Sequence, residues 1–296
     1  MQQIIGGIIM LRSLYSGVSG MKNLQTKMDV VSNNIANVNT TGYKSSRVSF
    51  QDMVSQTMSN ATAPTNNNGG INGKQIGLGV QTGSIDTSTG AGAPQSTGNP
   101  TDLYIGGEGY FVVRNNNGAN YYTRDGSFKL DANGSLVNSN GLKVLGYATS
   151  GGAQVEGGNP GFNGTASPIT VAAQIGGQNY SNNSLAVDEN GTVTAKYGSQ
   201  TYVLGRVQLA TFFNPGGLQK MGGNNYAATA NSGQAVLGQA GENGSGNIQS
   251  GKLEMSNVDL SNEFTEMIIA NRAYQANARS ITTSDEMLQE LINLKR

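Results

Sequence analysis

Residues 260–292 read LSNEFTEMIIANRAYQANARSITTSDEMLQELI, and one regular pattern runs through the whole stretch. From Leu260 onward the pattern advances in steps of four or three residues, and eight of its ten positions are apolar. This spacing is typical of an amphipathic helix with a coiled-coil seam. The apolar seam residues are Leu260, Phe264, Met267, Tyr274, Ala278, Ile281, Leu288 and Ile292.

A second seam lies near the other end of the chain. Between Leu11 and Asn37 there is no Pro, and apolar residues again recur in steps of four or three, with one stammer from Met21 to Leu24. A single such helix would most simply pack on a globular core. Two long helices at opposite ends instead favour pairing with each other or with copies of themselves. The N-terminal seam residues are Leu14, Val18, Met21, Leu24, Met28, Val31, Ile35 and Val38.

The middle of the chain has the pattern of short strands and tight turns. Two apolar runs, at 110–113 and 121–124, flank the turn sequence at 115–118, which predicts a β-hairpin. The longest strand candidate is 202–213. The sequence therefore predicts an α+β fold, in which paired N- and C-terminal coiled-coil helices carry an antiparallel β-rich domain of short strands and hairpins.

The expected division of the chain follows these changes of pattern. Residues 1–9 are expected to be a non-native extension, because the Gly6-Gly7 codons lie where a ribosome-binding site for a start at Met10 would lie. The remaining segments are a helical domain of 10–45 and 255–296, a connector at 46–75, a β-rich domain of 76–147 and 185–254, and a small insertion at 148–184.

Composition excludes several kinds of function. The chain has no His and no Cys, which removes a Ser-His-Asp triad, thiol nucleophiles and His- or Cys-ligated metal sites. Lys plus Arg and Asp plus Glu are both 18, so there is no basic excess for nucleic acid. No apolar run approaches the roughly 18 residues of a membrane span. We expect no catalytic site, cofactor, metal, nucleic-acid partner or membrane span.

Two further motifs fail as chemical sites. Residues 246–252 nearly spell a phosphate-binding loop, but Leu253 stands where the hydroxyl that holds Mg²⁺ is needed. The turns at 131–134 and 188–191 resemble the start of a calcium loop but lack the closing glutamate. The match at 246–252 is interpreted as chance in a Gly-rich chain. The turns at 131–134 and 188–191 are interpreted as hairpin turns.

Several of these stretches resemble one family. The sequence NNIANVNTTGYK at 33–44 resembles the N-terminal signature of bacterial flagellar rod and hook proteins, and 256–267 with 271–274 resembles their C-terminal end. Residues 106–113 and 122–130 resemble the β domain between them. Within the family, residues 248–259 and 282–296 are similar to the corresponding parts of hook proteins. The length of the chain is similar to that of the short, Gram-positive form of the hook protein. The long segment after Phe50 is similar to the distal rod protein.

The resemblance implies a structural subunit that self-assembles into the flagellar hook, a flexible tubular joint that transmits motor torque; the alternative is the distal rod. It implies an inner tube of helices, an extracellular location, and partners that include the distal rod protein, the hook cap, the hook–filament junction proteins and the type III export apparatus. Export would need no cleaved signal peptide. The implied signature residues are Asn33, Asn34, Asn37 and Gly42, and Phe50 with Val54 fits an export motif, or else packs on the β domain.

Two hypotheses from other classes stay open on the residues alone. A secreted carbohydrate-active enzyme is disfavoured because the chain lacks His, Cys and Trp. A surface adhesin or phage-tail-like module is disfavoured because paired terminal heptads would be unusual there.

Overall fold

The computed structural model describes residues 2–65, 69–154, 166–181 and 184–293. The chain divides into two compact units. The helical unit comprises Met1–Ala36, Ser46–Thr87 and Val258–Arg296. The β body comprises Asn37–Ser45 and Ser88–Asn257. These limits differ from the expected ones at three places. Residues 37–45 and 255–257 belong to the β body, and residues 46–87 belong to the helical unit.

Two long helices dominate the helical unit, as the spacing predicts. The C-terminal helix begins where Asp259 caps it, because the Asp259 carboxylate accepts a hydrogen bond from the Ser261 N–H at 2.9 Å. The N-terminal helix begins at Gln2, so it includes residues 2–9, which were expected to belong to a non-native extension. Val38, which was predicted to lie on the seam, lies beyond the end of the helix. The elements of the unit are α1 (Gln2–Ala36), β1 (Ser46–Asp52), β2 (Ser55–Ser59), β3 (Lys74–Gly77), β4 (Val80–Thr87) and α2 (Leu260–Asn293).

Residues 46–75 were expected to be a connector, but they contain β1, β2 and the start of β3. Strand β1 pairs antiparallel with β4, with a bulge between Ser49 and Phe50, and β2 pairs antiparallel with β3. The side chains of β2 and β3 are all exposed. Because both faces of these strands carry mainly Ser, Thr and Gln, they show no apolar alternation, which is the signal that would have predicted them.

The β body is built almost wholly of short strands. They are β5 (Pro94–Ser96), β6 (Leu103–Gly106), β7 (Tyr110–Arg114), β8 (Asn120–Thr123), β9 (Lys129–Leu130), β10 (Leu136–Val137), β11 (Lys143–Gln154), β12 (Ala166–Pro168), β13 (Gln174–Ile175), β14 (Gln178–Asn179), β15 (Ala186–Val187), β16 (Thr192–Tyr197), β17 (Gln200–Val207), β18 (Leu209–Thr211), β19 (Gln219–Gly222), β20 (Asn225–Ala227), β21 (Val236–Gly238), β22 (Asn247–Ser250) and β23 (Lys252–Glu254). A 3₁₀ turn lies at Pro215–Gly217.

The main sheet of the β body has the strand order β15-β16-β17-β11-β7-β8-β20-β19, and its strand pairs are antiparallel. The predicted hairpin is confirmed as β7–β8, and the turns at 131–134 and 188–191 connect β9–β10 and β15–β16. The predicted strand 202–213 is wrong as one element. It forms β17 and β18, because the chain changes partners at the buried Gln208, from β11 and β16 to β7 and β21.

Alternate residues of the central strand β7 point into two apolar cores, one on each face of the sheet. Phe111 and Val113 join the larger core, and Phe111 packs edge-to-face on Phe128 with ring centroids 5.1 Å apart. Tyr110 and Val112 join the smaller core on the other face. The β body therefore has its own apolar interior on both faces of one sheet.

Candidate functional site

The two terminal helices run antiparallel and contact each other along most of their length. The hydroxyls of Ser13 and Ser284 lie 3.4 Å apart, and the Asn34 side chain donates to the Glu263 carboxylate at 3.1 Å. Between these two contacts each helix advances by the same 21 residues. At about 1.5 Å per residue the matched stretch is about 30 Å long.

Small and polar residues, together with the apolar Ile281, make close contacts across this helix pair. A Cβ atom added to Gly17 would lie 3.1 Å from the Ile281 side chain, and one added to Gly20 would lie 2.8 Å from the Asn277 side chain. Lys27 and Glu266 form an ion pair farther along. Because that pair is partly exposed, it contributes little to stability. The close approach of the helices depends on the two glycines.

The predicted seam residues divide into three groups by exposure. Val31 is buried, and Ala270, which the seam did not include, is buried on α2. The half-buried group is Leu14, Met21, Leu24, Met28, Ile35, Val38, Met267, Ala278, Ile281 and Leu288. The exposed group is Val18, Leu260, Phe264, Tyr274 and Ile292.

The face that α2 turns toward α1 matches the predicted seam only in part. Ile281 lies on the seam and faces Gly17 of α1. Glu263, Asn277 and Ser284 also contact α1, and each is one residue before a predicted seam position. Because one residue rotates a helix by about 100°, this offset leaves part of the apolar pattern uncovered.

An apolar surface therefore remains open on α2. Leu260, Phe264 and Ile268 follow one another at four-residue spacing and lie on one face. Phe264 is 50% exposed and Ile268 is 62% exposed. We call these three residues the α2 stripe. A contiguous exposed apolar patch of this kind marks an interaction surface.

The signature residue Asn34 joins three segments of the helical unit. Its amide nitrogen donates to the Ser46 carbonyl at 2.8 Å and to the Glu263 carboxylate at 3.1 Å. Its amide oxygen accepts from the Ser46 N–H at 3.0 Å. The side chain is buried. Asn34 thereby fixes the end of α1, the start of β1 and the first turn of α2 against one another.

Two other signature residues shape the turn after α1. The Asn37 carbonyl accepts from the Thr40 N–H, and its side chain accepts from the Thr40 hydroxyl at 3.1 Å. Gly42 has φ of +66°, and its N–H donates to the Glu254 carbonyl at 2.8 Å. A Cβ atom there would lie 2.6 Å from the Asp125 backbone nitrogen. Only glycine fits this position. Asn33 is exposed on α1.

Three charged side chains meet in the interior of the β body. Lys44 is 0% exposed, and its ammonium donates to the Glu254 carboxylate at 2.5 Å and to the Gly90 carbonyl at 2.8 Å. Arg124 lies 3.4 Å from the other Glu254 oxygen and donates to the Gly107 carbonyl. We call Lys44, Arg124 and Glu254 the buried ion cluster.

Burial governs the electrostatics of this cluster. Desolvation lowers the pKa of Lys44, and the neighbouring Glu254 carboxylate opposes that shift. Glu254 also accepts from the Gly92 N–H at 2.8 Å, so its carboxylate binds Lys44, Arg124 and the backbone together. One carboxylate thus serves two buried cations.

Sequence reasoning missed the buried ion cluster. Each member lies inside a different stretch that carries the family resemblance, at 33–44, 122–130 and 248–259. A charged residue inside each of these stretches, in a chain with only 12% charged residues, was the available signal. Their convergence depends on the sheet topology, which local patterns do not reveal.

The C-terminal signature stretch supplies a second connection within the β body, through Asn257. The Asn257 side-chain oxygen accepts from the Ser45 N–H at 2.8 Å. Its amide nitrogen donates to the carbonyls of Ser88 and Gly90 at 3.0 and 3.2 Å. Asn257 therefore links the end of the segment that carries Lys44 to residues 88–90 of the β body.

The residues of the predicted export motif lie in the helical unit. Phe50 is in β1 opposite Thr82, and Val54 lies between β1 and β2. Both are exposed, as is Met53. The exposure of both residues leaves them accessible to another protein.

In the described parts of the chain, no group of three or more acidic residues could hold a metal ion. The near phosphate-loop sequence at 246–252 contains strand β22, which pairs with β6. Neither helix, over its described residues, is long and apolar enough to cross a membrane.

These features are typical of a structural protein: two terminal helices, an exposed apolar stripe on α2, and a signature segment at 33–44 held by hydrogen bonds and buried contacts. Three family profiles match the chain: "Flagella basal body rod protein" at 14–44, "Flagellar hook protein FlgE/F/G D1 domain" at 104–195 and "Flagellar basal body rod FlgEFG protein C-terminal" at 249–294. Each matched region contributes one member of the buried ion cluster.

Curated relatives agree with these matches. The flagellar basal-body rod protein FlgG of Bacillus subtilis is 48% identical over 289 residues, which cover 97% of this chain and all of the relative. The FlgG protein of Borreliella burgdorferi is 37% identical over 290 residues, and the flagellar hook protein FlgE of the same organism is 32% identical over 443 residues; both alignments cover 97% of this chain and all of the relative.

The chain belongs to the family of flagellar rod and hook proteins. It is a structural component of the flagellum and not an enzyme, as the sequence predicts.

Proposed function

We propose that this protein is a self-assembling subunit of the flagellar axis, in which the terminal helices of many copies pack into the inner wall of a helical tube. The observation that carries the proposal is the α2 stripe, which stays exposed although α2 already contacts α1. An exposed row of large apolar side chains costs solubility unless another chain covers it.

The proposed packing is a coiled coil between copies. The predicted seam has heptad-like spacing on both helices. Within one chain the helices meet through small and polar residues together with Ile281, and the α2 stripe stays exposed. On α2, therefore, one face serves the partner helix of the same chain and a second, apolar face is available to a neighbour. A contact between different faces of identical subunits does not close on itself and gives an open helix.

Within the axis, we propose the hook as the location of this subunit. The stretches 248–259 and 282–296 resemble hook proteins, and the charge-poor surface suits subunits that slide against one another as a curved tube turns. The same role implies contacts with the distal rod protein, the hook cap and the hook–filament junction proteins, and export by the type III apparatus with Phe50 and Val54 as its recognition motif.

The distal rod is the second candidate, and a specific observation favours it. The FlgG relatives align over 289 and 290 residues, close to the length of this chain, whereas the FlgE relative requires 443 aligned positions. The strands β1 to β4 also occupy the segment whose length is similar to the distal rod protein.

Two measurements test these proposals. Negative-stain microscopy of the purified full chain is expected to show tubes, and a Phe264→Ser, Ile268→Ser variant is expected to stay monomeric. Ile269→Ser is the matched control, because Ile269 is equally apolar and 54% exposed but lies about 100° around the helix from Ile268. Tubes formed equally well by the stripe variant would contradict the assembly proposal.

Location is tested separately on isolated hook–basal bodies labelled with an antibody to this chain. Label on the curved segment supports the hook. Label confined to the straight segment supports the distal rod, and leaves the assembly proposal intact.

A further inference from the structure

Phe213 is the most exposed large apolar side chain of the described β body, with its full surface in solvent. Its neighbours in sequence hold it firmly. Phe212 is buried and packs edge-to-face on Tyr122 with ring centroids 4.7 Å apart. The Asn214 side chain donates to the Asn231 carbonyl at 3.1 Å. An aromatic ring on a rigid loop loses little conformational entropy when it binds, which is the property of an interface anchor.

A shallow apolar hollow is a second feature of the β body, and Phe213 is not among the residues that line it. It has a volume of about 450 Å³ and is lined by Tyr122, Ala228, Ala230, Ala235 and Leu237, among others. Except for Tyr122 these lining side chains are at least partly exposed. The small alanine side chains leave room for an aromatic ring, and Tyr122 and Leu237 offer apolar surface to it.

The chain segments that supply the ring and most of the hollow carry no charge. No Asp, Glu, Lys or Arg occurs from 207 to 219 or from 221 to 241, the stretches that supply Phe213 and all of the hollow except Tyr122. The centre of a protein–protein interface is typically poor in charged residues and rich in aromatic ones, as these segments are around Phe213. An uncharged surface also selects against strongly acidic or basic partners, and fits a second uncharged surface of the same kind.

We propose that Phe213 of one copy inserts into this hollow on a neighbouring copy of the chain, forming a lateral contact between β bodies. The inference rests on the proposed function, since it assigns the β body a contact in the same polymer. The ring and the hollow are made by different residues of the β body, so each copy can give its ring to one neighbour and receive a ring from another. Such a contact propagates without closing.

The test uses the full chain and three variants. Phe213→Ala removes the ring, Ala230→Glu places a charge in the hollow, and Met221→Ala is the matched control, because Met221 is an exposed apolar residue of the β body outside the hollow. The first two variants are expected to keep the circular dichroism spectrum of the parent and to raise the critical concentration for tube formation at least about tenfold. Met221→Ala is expected to leave it unchanged.

Mixing the two defective variants identifies the contact itself. Phe213→Ala keeps an open hollow and Ala230→Glu keeps the ring, so an equimolar mixture is expected to form one-to-one pairs in analytical ultracentrifugation that neither variant forms alone. Unchanged assembly by Phe213→Ala, or no pairs in the mixture, would overturn the inference. If the parent chain forms no tubes, the proposed function fails instead.

Discussion

Replacing Glu254 by Gln removes the only carboxylate of the buried ion cluster and keeps the shape of the side chain. Lys44 and Arg124 are then buried cations without a counter-charge, and both are at most 3% exposed. Removing one partner of a buried ion pair costs about 3–5 kcal/mol. Arg124 cannot release its proton, whereas Lys44 can, at a cost near pH 7 of about 5 kcal/mol given its ordinary pKa of 10.5.

A loss of about 4 kcal/mol has a measurable size. For a domain of about 150–250 residues, 1 kcal/mol shifts Tm by roughly 2–4 °C, so Glu254→Gln is expected to lower the Tm of the β body by about 10 °C. Glu242→Gln is the control, because Glu242 is exposed, and it is expected to change the free energy of unfolding by less than about 0.5 kcal/mol. Both are followed by near-ultraviolet circular dichroism, which reports the buried tyrosines.

The pH dependence of this variant provides an independent check. Without Glu254, the pKa of Lys44 in the folded state lies further below its value in the unfolded state. Below pH 10 the unfolded variant therefore binds more protons than the folded variant, and the stability of the variant rises with pH. The difference in stability between parent and variant is therefore expected to narrow as pH rises from about 8 to 10. A Glu254→Gln protein as stable as the parent at pH 7 would refute the reasoning, and so would a difference that widens with pH.

Three other predictions concern single side chains. Gly20→Leu should destabilise the helix pair by about 1–3 kcal/mol, because a Cβ atom at residue 20 would meet the Asn277 side chain. Gln25→Leu, on the exposed side of α1, should not destabilise it. Equal Tm values for the two variants would count against the observed packing. Burial raises the pKa of Tyr226, so above pH 10 the folded state keeps a proton that the unfolded state loses, and stability should fall with pH, less so in Tyr226→Phe. Phe50→Ala should reduce secretion while the purified protein still folds and assembles; normal secretion with poor assembly would favour a packing role.

The helices were predictable because their signal is local. Steps of three and four residues predict α1 and α2, and Asp259 at the start of α2 is a recognisable cap. The hairpin turns were predictable for the same reason, since Asn115–Gly118 has the chemistry of a tight turn. The rotational position of α2 was not predictable, because which apolar residues face α1 depends on where the two glycines allow close approach.

The limits of the β body were not predictable from composition. Residues 37–45 follow a helix and contain no strand pattern, yet Lys44 is buried at the end of this segment and binds a glutamate 210 positions away. A fragment that begins after residue 45 would lack Lys44 and Gly42, leaving Glu254 and Arg124 with altered partners. A fragment meant to fold as the β body should therefore begin at or before Asn37.

The central claim is that the terminal helices build the inner wall of a tube through their apolar faces. Helical reconstruction by electron cryomicroscopy of tubes formed from the full chain tests it most directly, because the reconstruction gives the radius at which each element lies. The expected result places α1 and α2 innermost, with Phe264 and Ile268 covered by a neighbouring copy. Helices at the outer surface, or an α2 stripe still exposed to solvent in the tube, would contradict the claim.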